Sequence, residues 1–182
     1  MIELIHTCHT LILGCGNPLF GDDGFGPAVI QYMETRYEPA DGCGFIDVGT
    51  SVRDLLFDII LSDQRPKKII ILDAVDMPGR MPGELFDIDV DQISPEKTSD
   101  FSLHQFPTTN MLKELKDHTA IDITVMVVQL ESLPDTVAPG LSEPVRKAVA
   151  LIAEKLIRDV GGKRLNENVK AQEGGLAEAF VF

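Results

Sequence analysis

"KIIILD", Lys68 to Asp73, sets four apolar residues in a row between a cation and a carboxylate. A run that short, bounded by polar residues, reads as a strand buried on both faces, as the centre of a parallel sheet requires. On either side of it lie further strand candidates, Thr10 to Leu13, Phe45 to Val48, Leu85 to Val90 and Ile123 to Gln129, each a short apolar or β-branched run closed by turn residues. Helix candidates fill the gaps: Pro27 to Tyr37, Val52 to Leu61, Thr109 to Lys116 and Glu143 to Ile157. In the second, Val52, Leu55, Leu56, Ile59 and Ile60 recur at helical spacing behind Ser51 and Asp54, a start resembling a capping box. In the last, Val145, Ala148, Val149, Ile152 and Leu156 repeat the pattern, with Ser142 as the expected cap. Strand and helix in alternation predict an α/β fold, with a mostly parallel sheet of about five strands covered by helices on both faces. One connection breaks the rule. "MPGRMPGE", Met77 to Glu84, is too short and too rich in Pro and Gly for a crossover helix, so strand Leu85 to Val90 is expected to be antiparallel or at an edge.

The chain has 182 residues, 44% of them hydrophobic and 25% charged, which suits one globular domain with a sizeable core. That domain is placed at residues 1–160. Residues 161–182 are a polar extension with an Ala-, Leu- and Phe-containing end, expected to carry no chemistry. A formal net charge of −13 repels phosphate-rich partners, so neither nucleic acid nor an anionic membrane is expected, and a cation or a basic peptide fits better. Cys8, Cys15 and Cys43 have no C-x-x-C spacing and suggest neither a disulfide framework nor a zinc knuckle, which fits a reducing cytoplasm. "LILGC", Leu11 to Cys15, has the look of a lipoprotein processing site. No Lys or Arg precedes it, however, and Glu3, His6 and His9 interrupt the apolar run.

After the first strand comes "LGCGNPLFGDDGFGP", Leu13 to Pro27. Its glycines are bunched as in a phosphate-binding loop, but a dinucleotide fingerprint needs a third glycine where Leu19 stands. Asp22 and Asp23 also cancel the positive helix end that a phosphate would seek. Taken alone, the pair could simply complement the helix dipole. Asp73 shifts the balance, because a carboxylate at the carboxyl end of a parallel strand faces the crevice where ligands bind, and the first strand delivers Asp22 and Asp23 to that same edge. Unpaired charge there is costly to desolvate unless it meets a partner or a metal. His104, in "FSLHQFP", offers an imidazole from the loop after the fourth strand. Two carboxylates and an imidazole with open positions suit a borderline divalent ion such as nickel or zinc, and not a closed structural zinc site.

Rival sites are weaker. His6, Cys8 and His9 in the amino-terminal "HTCHT" could bind metal, Asp47 could mimic a ribose-binding acid, and Cys15 could be a nucleophile. Cys15 has no His beside it in sequence, so buried packing is expected of it; His118, after a helix, reads as solvated.

Four ordered stretches together resemble the nickel-iron hydrogenase maturation endopeptidases: "LGCGNPLFGDDGFG" at Leu13 to Gly26, "DVGTS" at Asp47 to Ser51, "IILDAVDMPGRMPGE" at Ile70 to Glu84 and "SLHQ" at Ser102 to Gln105. The opening loop looks most like the branch serving the methanogen hydrogenase that reduces the deazaflavin coenzyme. The resemblance implies a three-layer αβα fold that removes a carboxyl-terminal peptide from a hydrogenase large-subunit precursor once nickel is inserted. Metal contacts, and uncertain roles in hydrolysis, then fall on Asp23, Asp73 and His104. The nickel itself is expected to arrive with the large subunit, and other divalent ions to substitute for it. Gly14, Gly16, Asn17 and Gly21 form the expected substrate loop, its glycines permitting a tight backbone path. Better-known bacterial members carry Glu where Asp23 stands; the shorter side chain here leaves Asp22 as an alternative ligand. The rival class is a metal-binding assembly accessory protein without proteolysis, which would bind the precursor and leave its mass unchanged.

Overall fold

The computed structural model describes residues 2–89 and 108–165. In chain order these form α1 (Ile2–Thr7), β1 (Thr10–Cys15), a 3-10 turn (Gly21–Gly24), α2 (Phe25–Glu34), β2 (Tyr37–Glu38), β3 (Cys43–Gly49), α3 (Val52–Leu61), β4 (Lys68–Val75), β5 (Leu85–Ile88), α4 (Thr108–His118), β6 (Asp122–Gln129), α5 (Glu143–Val160) and β7 (Lys163–Arg164). Five strands make the main sheet in the order β3-β1-β4-β6-β5, so β4 is central, as its apolar run requires. β1, β3, β4 and β6 are mutually parallel. β5 is an edge strand running antiparallel to β6, because eight residues of Pro- and Gly-rich loop cannot carry a crossover.

Alternation along the strands feeds two cores. Leu11, Leu13, Ile69, Ile71, Val125 and Val127 face one side, under α1, α3 and α4, where Leu56, Ile59 and Leu115 are fully buried. Ile12, Ile70, Leu72, Met126 and Val128 face the other, under α2 and α5, where Ile30, Met33 and Leu156 are buried. The result is the expected αβα sandwich. No helix among the described residues is long and apolar enough to cross a membrane.

Several local expectations change. α2 spans Phe25–Glu34 and does not reach Tyr37; the chain after α5 returns and pairs Tyr37 with Arg164 and Glu38 with Lys163 as a small second sheet. α5 continues three residues past Ile157 and stops at Gly161, whose left-handed backbone (φ 78°) ends the helix. Neither Ser51 nor Ser142 caps its helix with its hydroxyl. Residues 166–182 and Val90, the expected end of the fourth strand, lie outside the described residues.

Candidate active site at the carboxyl edge of the sheet

β1 is followed by α2 and β3 on one side of it, whereas the chain after β3 crosses to β4 on the other. Where connections part in this way, a crevice opens beyond the carboxyl ends of β1 and β4. β1 parts from β4 here: Gly14 still pairs with Leu72, and β1 has no partner for Asp73, although β4 runs on to Val75 beside β6 and Cys15 stays paired with Gly49 of β3. Asp73 therefore sits not at the end of its strand but at the point where its neighbour turns away.

The departing chain builds the acidic turn. Gly16 holds φ at 121°, and a Cβ added there would stand 1.8 Å from the Asp23 carbonyl oxygen. The missing side chain thus makes room for the turn's own backbone, which folds back over β1. Asn17 N–H donates to Asp23 Oδ2 at 2.8 Å, and the Asn17 side chain accepts from Leu19 N–H at 3.0 Å. Gly21, with φ 56°, takes the left-handed step into the 3-10 turn.

Asp22 and Asp23 are adjacent in sequence but differently placed. Asp22 is 1% exposed, and its carboxylate accepts four hydrogen bonds: from Glu131 N–H (2.8 Å), Ser132 N–H (3.3 Å), Ser142 N–H (2.7 Å) and the Ser142 hydroxyl (2.9 Å). Asp23 is half-buried and its charge acts on Asp73. Asp73, 8% exposed, accepts one hydrogen bond from Ala74 N–H at 2.8 Å. Burial, reinforced by the Asp23 charge and partly offset by that hydrogen bond, pushes the Asp73 carboxyl up to about 7. Two carboxylates whose charges act on one another, one of them desolvated, form a place where positive charge is favoured. Among the described residues, no group of three His, Cys, Asp or Glu side chains is arranged to hold a metal ion, and His104, the third expected ligand, lies outside them.

Cys15 is buried, and burial together with the charges of Asp73, Asp47 and Asp23 pushes its thiol well above the usual range. It stays protonated and packs in the core. His6, Cys8 and His9 precede β1 and so lie at the amino edge of the sheet, opposite the carboxylates; His6 Nδ1 meets the Ser62 hydroxyl at 3.3 Å. His118 is exposed.

Three contributors were not legible as part of this site. Asp47, at the exposed end of β3, accepts Gly49 N–H at 2.9 Å and lines a cleft of about 550 Å³ that also borders Gly21, Gly24, Pro27, Gln31 and Leu141. In the sequence it stood out as a possible ribose-binding acid and as the start of "DVGTS", but nothing local tied it to this cleft. Gln129, buried at the end of β6, accepts Met77 N–H (2.8 Å) and donates to Asp76 Oδ1 (2.9 Å), fixing the loop that leaves β4. Ser142 gives its hydroxyl to Asp22 instead of to its own helix.

The profile of the hydrogenase maturation protease family matches residues 27–159. A Methanocaldococcus jannaschii protein, provisionally named a hydrogenase maturation protease, is 39% identical over 152 residues, covering 82% of this chain and 95% of that one. Coenzyme F420 hydrogenase subunit delta of Methanothermobacter thermautotrophicus is 35% identical over 155 residues, covering 83% and 94%. Among solved structures, the hydrogenase maturating endopeptidase HybD of Escherichia coli superposes with a TM-score of 0.66 at 25% identity, over 88% of this chain and 98% of that one. A β1 loop that turns two carboxylates to different tasks beside Asp73, in a chain so matched along most of its length, belongs to the hydrogenase maturation protease family, a family of peptide hydrolases.

Proposed function

We propose that this maturation protease cuts the carboxyl-terminal extension from a nickel-iron hydrogenase large-subunit precursor after nickel insertion, and that its partner is the large subunit of a coenzyme F420-reducing enzyme. The observation that carries the site assignment is the meeting of the Asp23 turn with Asp73 at the crevice where β1 leaves β4. Asp23 and Asp73, together with His104, are the side chains proposed to meet the nickel that the precursor brings; a divalent cation held there polarises a neighbouring carbonyl. Asp23 takes this role rather than Asp22, because the four hydrogen bonds that Asp22 accepts turn its oxygens toward the β6–α5 loop. Oxygen and imidazole ligands without a thiolate bind borderline metals less firmly than a cysteine-rich site. Tight engagement therefore needs the metal and the precursor together, which lets the protease distinguish loaded from empty precursor. The chain's net charge of −13 fits a protein partner in the cytoplasm better than nucleic acid or an anionic membrane surface.

The test is product mass after incubation with nickel-loaded precursor. Wild type is expected to shorten the precursor once, at its carboxyl end, and Asp23→Ala, Asp73→Ala and His104→Ala to leave it uncut. Stable binding of the loaded precursor by wild type without trimming would overturn the proteolytic reading in favour of an assembly factor.

A further inference from the structure

Asp22 is a buried carboxylate that the proposed chemistry does not use, and its partners lie 109 to 120 residues away in sequence. They bracket one segment. Glu131 and Ser132 begin the loop between β6 and α5, and Ser142 ends it as the residue before α5. Between these anchors two backbone hydrogen bonds tie the loop to the acidic turn: Gly21 N–H donates to the Ala138 carbonyl, and Ala138 N–H donates to the Leu19 carbonyl, each at 2.9 Å. Pro134 stands against Gly21, its Cδ 3.0 Å from where a Cβ would be. The segment thereby becomes one wall of the 550 Å³ cleft, through Gly140 and Leu141, while α2 with Pro27, Gln31 and Glu34 forms the other.

Gly21 and Gly24, which flank the Asp22–Asp23 pair in the chain, line this cleft. A polypeptide cut beside Asp23 and Asp73 has this cleft next to the turn that carries Asp23, and a cleft of this volume has room for a few extended residues. We propose that Asp22 is a positioning residue: by accepting hydrogen bonds at both ends of the β6–α5 loop, it holds the wall against which the leaving carboxyl-terminal extension of the precursor lies. This rests on the proteolytic reading above. Asp22 acts through the loop and not on the reacting atoms. Its effect therefore falls on how firmly the extension is gripped, and depends on how much extension there is.

Ser142→Ala tests this gently, since it removes one of the four bonds and leaves the three backbone ones. Asp22→Asn is the stronger variant, because it replaces one acceptor oxygen by a donor facing N–H groups. Each is compared with wild type on two nickel-loaded precursors, one with the full extension and one with the extension shortened to two residues, after thermal unfolding has verified that the variant is folded. The expected result for Ser142→Ala is a rise in KM of about tenfold on the full extension, the worth of one hydrogen bond to a charged acceptor. On the same substrate kcat should hold within about twofold, and on the shortened substrate KM should not change. Asp22→Asn should move in the same direction and further. An equal loss on both substrates, or a fall in kcat with KM unchanged, would overturn the positioning role. Failure of wild type to cut either precursor would instead bring down the proteolytic reading on which the proposal stands.

Discussion

Replacing Asp73 by Asn should stabilise the metal-free protein at neutral pH, even though it removes a carboxylate assigned to function. Asp73 is buried, and its carboxyl is raised from 3.8 to about 7 by burial and by the charge of Asp23. Below about pH 4 the proton is bound in both the folded and the unfolded chain, so wild type and variant differ little in this respect. Between about pH 4 and 7 the unfolded chain releases it while the folded chain keeps it, and wild-type stability falls by about 1.4 kcal/mol per pH unit. Above the folded value both states are ionised and the deficit levels off. A shift from 3.8 to about 7 corresponds to an upper limit of about 4 kcal/mol. Asn keeps the acceptor that Ala74 N–H uses at 2.8 Å, but it brings a second amide hydrogen to satisfy, at a cost of about 1–2 kcal/mol. The net gain at pH 7.5 is then about 2–3 kcal/mol. Urea unfolding of both proteins from pH 4 to 8, with a chelator present, reads this directly as a difference in ΔG that grows through the middle of the range. A difference that is flat across pH 4 to 7, or a variant no more stable than wild type at pH 7.5, would refute the claim that Asp73 is held in a desolvated, acid-flanked position. Loss of cleavage in the same stabilised variant would show a site whose chemistry is kept at the expense of stability.

The other expectations are briefer. Gly16→Ala should lower stability and cleavage together, by several kcal/mol in stability, because φ is 121° and the Asp23 backbone stands 1.8 Å from the new Cβ; unchanged unfolding with lost turnover would instead show that the glycine serves substrate approach. Leu56→Ala, in the fully buried face of α3, should cost about 2–5 kcal/mol in urea unfolding. Wild type should trim nickel-loaded precursor and leave nickel-free precursor uncut, and equal trimming of the two would remove the discrimination proposed for Asp23, Asp73 and His104.

Most of the architecture was legible because it depends on local periodicity. Four apolar residues at Ile69 to Leu72 can be satisfied only between two covered faces, and the spacing of Val52, Leu55, Leu56 and Ile59 admits one buried helix side. The antiparallel β5 followed from a connection too short to cross over. A carboxylate near the carboxyl end of β4, at Asp73, and an acidic pair after β1 were likewise visible, since chain order alone brings both to the carboxyl edge of a parallel sheet, although β4 runs on to Val75. What sequence could not separate was Asp22 from Asp23. Neighbouring residues of one type share every local property, and their tasks diverge only through Glu131, Ser132 and Ser142, which reach Asp22 from more than 100 residues away. The same holds for Ser142, read locally as a helix cap and engaged instead by a distant carboxylate, and for Tyr37, whose helical continuation gives way to pairing with Arg164. Periodicity decides which side of an element is buried; only the closed fold decides which partner is within hydrogen-bond reach, because that distance is set by segments the local sequence does not contain.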